Sequence, residues 1–122
     1  MDLNERMDEF FSRAAAGDAD GVAAMCADGC RIKQNIGEEG DAGALVALIR
    51  GLSDAGVTTS YRDVRRVAGE HAVTEQHLVT LRRSDGVEVA SDVCVVVRFD
   101  DEGLATRIDE YVDSAAFAPI FG

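Results

Sequence analysis

Leu3, Met7, Phe10, Phe11 and Ala14 recur three and four residues apart, which puts them on one face of an amphipathic helix that Gly17 ends. Asp18 or Asp20 can cap a second, shorter helix with Val22, Ala23, Met25 and Cys26 on its apolar side, and Gly29 is placed to terminate it. Cys30 to Ile36 reads as a strand and Gly37 to Gly40 as a loop. Asp41 can cap a third helix carrying Leu45, Val46, Leu48, Ile49 and Leu52, closed by Gly56. From Val57 onward the texture changes to long β segments, Val57 to Ala68 and then Ala72 to Arg83. Asp85-Gly86 is a hairpin turn, because both residues tolerate positive φ. The next strand, Val87 to Phe99, carries an apolar row of Val87, Val89, Val93, Val95, Val97 and Phe99, broken only by Ser91. Asp100 to Gly103 then turns the chain into a last strand.

Helix, helix, strand, helix and four long antiparallel strands, in that order, predict an α+β fold. The expected form is a cone: a curved antiparallel sheet with three helices from the N-terminal half packed on its concave face. Such a cone has a floor of strand residues and is a natural pocket for a small apolar ligand. No repeat or linker interrupts the chain, so residues 1–122 are expected to form one domain.

The last strand carries the best chemical clue. Leu104, Thr106, Ile108, Glu110 and Val112 form an alternating, mostly apolar row that should face the interior, while Ala105, Arg107, Asp109, Tyr111 and Asp113 form a wetter row. A carboxylate aimed into an apolar cavity is a candidate for proton exchange near neutral pH. Glu110 is therefore the candidate general acid/base.

Composition narrows the partners. A hydrophobic fraction of 47% argues against disorder, and charges interrupt every apolar run, so no membrane span is expected. The acidic, amphipathic start lacks the pattern of a secretory signal, and a cytoplasmic protein is the expectation. A net charge of −11 argues against nucleic acid; Arg62, Arg65, Arg66, Arg82 and Arg83 read better as solvated outer faces of neighbouring strands than as a basic patch. Cys26, Cys30 and Cys94 are an odd set, read as small buried hydrophobes, with no metal site. No motif for a metal, nucleotide or flavin is present, so no cofactor is expected.

With AAAGDADGVAAMCADG near its start and IDEYVDSAAF near its end, the chain resembles the nuclear transport factor 2-like superfamily. Within it the similarity is to the SnoaL-like group of polyketide cyclases, limonene-epoxide-hydrolase-like and ketosteroid-isomerase-like proteins. The resemblance implies a cystatin-like cone and, commonly, a homodimer through the outer face of the sheet. Residue by residue, the isomerase pattern fails: Phe10 stands for its helix-one Tyr, Val95 for its protonatable Asp, and Gln34 or Asn35 for its base. The epoxide-hydrolase pattern survives in part. Lys33-Gln34-Asn35 keeps the Asn of Tyr-x-Asn, Gln76-His77-Leu78 replaces Arg-x-Asp, and Glu110 matches the final Asp. The cyclase pattern needs an acidic residue at that last position, which Glu110 supplies; Ile36 stands where a proline commonly follows the Asn.

Asn35 and Gln76 are thus candidates to orient a ligand oxygen or a water, or else to satisfy buried backbone groups. Lys33, the sole lysine, could serve as a lowered-pKa amine or be solvated at its strand end. With Gln76 facing the pocket, alternation sends His77 to the outer face, an interface histidine that Glu75 and Asp92 could hold. Tyr111 goes outward by the same rule, and His71 sits at a turn. The leading expectation is a cofactor-independent enzyme catalysing cyclisation, isomerisation or water addition on an apolar or aromatic substrate. The rival is a ligand-binding or scaffold domain of the same fold, without turnover.

Overall fold

The computed structural model describes residues 1–121. Helix α1 (Leu3–Ala15) begins at Asp2, whose side chain accepts the backbone N–H groups of Asn4 and Glu5. That satisfies two of the donors a helix start leaves unpaired. Helix α2 (Ala19–Ala23) is capped in the same way by Asp18, and α3 (Ala42–Asp54) by Asp41. The strands are β1 (Cys26–Gln34), β2 (Gly40–Asp41), β3 (Thr58–Ala68), β4 (Ala72–Arg82), β5 (Glu88–Phe99) and β6 (Ala105–Val112). A 3₁₀ turn over Ser114–Phe117 and the short α4 (Ala118–Phe121) follow.

The six strands form one unclosed sheet in the order β2-β1-β6-β5-β4-β3. Pairings are antiparallel except β1 with β6, which run parallel and bring the first and last strands to the middle of the sheet. The expected α+β architecture is present, with two differences at its β1 edge. Gly40–Asp41 adds a two-residue strand where a loop was expected. β1 begins at Cys26, not Cys30, because its register against β6 jumps from Cys26↔Ala105 to Arg31↔Arg107. Ala27 to Cys30 therefore bulge together opposite Thr106, and a bulge of that kind is invisible to simple alternation.

A second bulge shapes the interior. Between Arg62↔Leu78 and Arg65↔Gln76, Asp63 and Val64 share one partner position on β4, and Asp63 takes φ 56°. The extra residue inverts the parity of the strand beyond it, so that Arg66 turns inward beside Glu75.

α1 packs on β3 and β4, and α3 on β1 and α2, covering one face of the sheet. Beneath them Met7, Phe10, Val22, Met25, Val73, Val95, Val97 and Ile108 are buried. Burying that apolar surface is the main drive for the layers to close. Among the described residues, no helix is long and apolar enough to cross a membrane.

Candidate functional site

The helices do not fill the cone. A cavity of about 720 Å³ lies between α1, α3, the C-terminal segment and the sheet. Its walls are mostly hydrocarbon: Phe10, Phe11 and Ala14 from α1, Leu45, Leu48, Ile49 and Leu52 from α3, and Phe117 and Phe121 from the C-terminal end. Val79, Val93, Val95, Ile108 and Val112 line the floor. A space of this size and character suits one apolar small molecule.

One register row carries polar groups from the cavity wall at Glu110 into the core at Glu75. Gln34 pairs with Glu110, Glu110 with Val95, Val95 with Glu75, and Glu75 with Arg66, so these five residues cross the sheet in a line from β1 to β3. At one end, half-buried Glu110 and exposed Gln34 sit at the cavity mouth, where Gln34 Nε2 donates to Glu110 Oε1 at 2.7 Å. That hydrogen bond fixes one carboxylate oxygen and leaves the other for a ligand or water.

At the other end lies a buried relay. Glu75 is 1% exposed and His77 2%. Arg66 Nε donates to Glu75 Oε1 at 2.6 Å, and the other oxygen, Oε2, contacts His77 Nδ1. Arg66 is held from behind by Asp8 at 2.8 Å and by the Asn4 carbonyl at 3.1 Å, both from α1. A carboxylate paired with a guanidinium accepts and does not donate, so the Nδ1–H of His77 points at Glu75. Phe11, Tyr61 and His77 pack edge to face, with ring centroids 4.9–5.0 Å apart. Burial pushes the Tyr61 hydroxyl well above its ordinary range, and the charges of Glu110 and then Glu75 push it further.

A model of the SnoaL-like domain matches residues 7–108, most of the chain, from within α1 to the first half of β6, ending two residues before Glu110. The chain belongs to the SnoaL-like family. Solved structures agree on the fold. A Mycobacterium tuberculosis limonene-epoxide-hydrolase-like epoxide hydrolase superposes with a TM-score of 0.78 at 20% identity, over 96% of this chain and 86% of that one. The pinacolase BvnE of Penicillium brevicompactum gives 0.79 at 15% identity, over 98% and 91%. A nuclear transport factor 2-like protein of Burkholderia xenovorans gives 0.72 at 22% identity, over 96% and 93%. No curated protein matches the sequence.

Within this SnoaL-like domain the expected site residues part company. Glu110 faces the cavity as its alternation with Ile108 and Val112 implied. Asn35 does not line the cavity. It takes φ 52°, and its side-chain amide donates to the Val112 carbonyl at 2.9 Å while its Oδ1 accepts the Val112 N–H at 3.0 Å. It staples the end of β1 to β6. Lys33 lies on the opposite parity from Ile32 and Gln34, paired with Asp109, away from the cavity. Gln76 is exposed on the outer face, between Arg65 and Cys94 in register.

The Gln76 placement inverts the expectation for His77, which faces inward and not toward an interface. The reason is parity: β4 buries Val73, Glu75, His77, Val79 and Leu81, and its other row holds Thr74, Gln76, Leu78 and Thr80. The apolar set Val73, Val79 and Leu81 shares the parity of His77 and was the signal that could have found it. Tyr61, also inward, alternates with Thr59 on β3 and was missed for want of a second inward aromatic on that strand. Tyr111 points outward as expected, 54% exposed.

Proposed function

We propose that this SnoaL-like domain is a cofactor-independent enzyme that binds one apolar or aromatic small molecule in the cone and moves protons on it, with Glu110 as general acid/base. The reaction class is cyclisation, isomerisation or water addition. The observation that carries the reading is the placement of Glu110: a carboxylate with one oxygen held by Gln34, on the wall of a mostly apolar cavity. An apolar cavity strengthens any charge interaction made inside it, and a positioned proton-transfer group is worth on the order of 10²–10⁴ in rate. The epoxide hydrolase and the pinacolase that share the fold support small-molecule chemistry in a cone of this kind. Two copies would pair through the uncovered sheet face, where Gln76, Leu78, Cys94 and Tyr111 lie.

The test is Glu110→Gln, assayed against polyketide-like, terpenoid and steroid compounds that bind the wild type. The enzyme reading expects turnover to fall by at least about 10²-fold while affinity persists. A second reading, a binding domain without turnover, draws on Phe10 and Val95 standing where the isomerase pattern has ionisable or hydroxyl groups. Under it the wild type converts none of its ligands, and Glu110→Gln changes affinity alone.

A further inference from the structure

His77 is buried, its Nδ1 is committed to Glu75, and its Nε2 has no partner among the described residues. No buried side-chain nitrogen or oxygen in the described chain lacks a hydrogen bond, so Nε2 is not sealed in the core; it opens on the cavity that His77 lines. We propose that His77 is a second proton-transfer residue of this site, a base whose Nε2 lone pair addresses a ligand O–H or acidic C–H. This rests on the reading of the cone as a small-molecule site and names the group opposite Glu110.

The arrangement around the ring is built for that role. Glu75 fixes the tautomer, and Arg66, clamped by Asp8, holds Glu75 as a carboxylate in the core. The charged or titratable groups placed around the ring are Glu75 on its own strand, Arg66 and Tyr61 on β3 and Asp8 on α1 behind Arg66, with Glu110 two strands away on β6. When Nε2 takes a proton from the ligand, the ring becomes an imidazolium stabilised by Glu75 and the ligand becomes its conjugate base. The same proton then returns to a different atom of the ligand, so no oxidant or second reactant is needed. Glu75 lies two strands from Glu110 in one register row, about 10 Å at the usual strand spacing, and His77 one row further on. Two proton-transfer groups so separated, with Val93 and Val95 between them, fit a ring-sized apolar substrate that carries an enolisable carbonyl or a phenolic hydroxyl.

The experiment uses 2-naphthol as the probe and 2-methoxynaphthalene as the control that lacks the proton. In protein with labelled histidine and methyl groups, the two histidines are resolved by NMR, His71 serving as the exposed reference. The expected result is a His77 ring protonated on Nδ1, an Nε2 resonance that moves with 2-naphthol, and Val93 and Ile108 methyls that move with either compound. His77→Gln should weaken 2-naphthol about tenfold, the worth of one hydrogen bond, and leave 2-methoxynaphthalene unchanged. If the methyls respond while Nε2 does not, or if the substitution affects both compounds equally, His77 is a packing residue; the proposal fails and the cavity reading stands. If no cavity methyl responds to either compound, the cavity reading itself fails and takes the proposal with it.

Discussion

Replacing Arg66 with methionine should be one of the most damaging single changes in the protein, although Arg66 lies on an edge strand. The Arg66 side chain is 15% exposed and its partner Glu75 is 1% exposed. Without the guanidinium, Glu75 is left in the core with the His77 ring as its one side-chain partner. Breaking a buried pair from one side costs about 3–5 kcal/mol, and the partial exposure of Arg66 places this case near about 3. At about 4 °C per kcal/mol for a domain of this size, the melting temperature should fall by about 12 °C. Glu75→Gln is milder, about 1–2 kcal/mol, because Asp8 and the Asn4 carbonyl still answer Arg66. The double substitution removes the orphaned charge and should cost about 2 kcal/mol, less than Arg66→Met alone, a coupling of about 2–3 kcal/mol. Because the chain has no tryptophan, unfolding in urea is followed by far-UV circular dichroism. A loss below about 1 kcal/mol for Arg66→Met, as at an exposed pair, would refute the reasoning. So would a double variant whose loss equals the sum of the two single losses.

Three further outcomes follow from particular contacts. Tyr61, its hydroxyl held high by burial and by Glu110 and Glu75, should stay protonated in the folded protein beyond about pH 10, where a free tyrosine ionises. Since the folded value lies above the unfolded one, this contribution to stability is full below about pH 10 and fades as the pH climbs toward the folded value. Tyr61→Phe should therefore lose less stability than the wild type over that alkaline range, and equal losses in urea titrations would count against the burial of the hydroxyl. Asn35→Ala gives up both bonds to Val112 at a left-handed position and should cost about 2–3 kcal/mol; Asn35→Gly keeps the backbone and should cost about 1–2. Equal costs would remove the conformational half of that argument. If two copies pair through the outer face, sedimentation gives a dimer, and alkylation of Cys94, read site by site beside half-buried Cys26 and buried Cys30, slows as protein concentration rises. A monomer at every concentration would end the dimer proposal.

Local pattern carried most of the architecture. The faces of α1 and α3, the aspartate caps and the Asp85-Gly86 turn are decided within a few residues, and each is where alternation and capping put it; α2 instead ends at Ala23, so Met25 and Cys26 leave its expected face and Gly29 falls within β1. Glu110 was legible for the same reason, since Ile108 and Val112 fix the parity of its strand. The illegible parts depend on events that alternation does not encode. The bulge at Asp63 and Val64 is what turns Arg66 inward, and nothing local to Arg66 announces it. The parallel pairing of β1 with β6 joins residues from opposite ends of the chain. On β4 both rows look half polar, and anchoring the parity on Gln76 sent His77 to the wrong face. Asn35 looked like a ligand residue because its left-handed backbone, which aims the amide at Val112, is a product of the strand end.

The central claim is that the cone holds an apolar molecule in an open cavity. Native mass spectrometry of the wild type and of Ala14→Trp, incubated with the same panel of polyketide-like, terpenoid and steroid compounds, tests it most directly. Ala14 lines the cavity from α1, so an indole there occupies the space a ligand would need. The account predicts one small molecule retained per wild-type chain and none on the folded variant. Retention that survives the substitution, or a wild type that retains nothing from the panel, would contradict it.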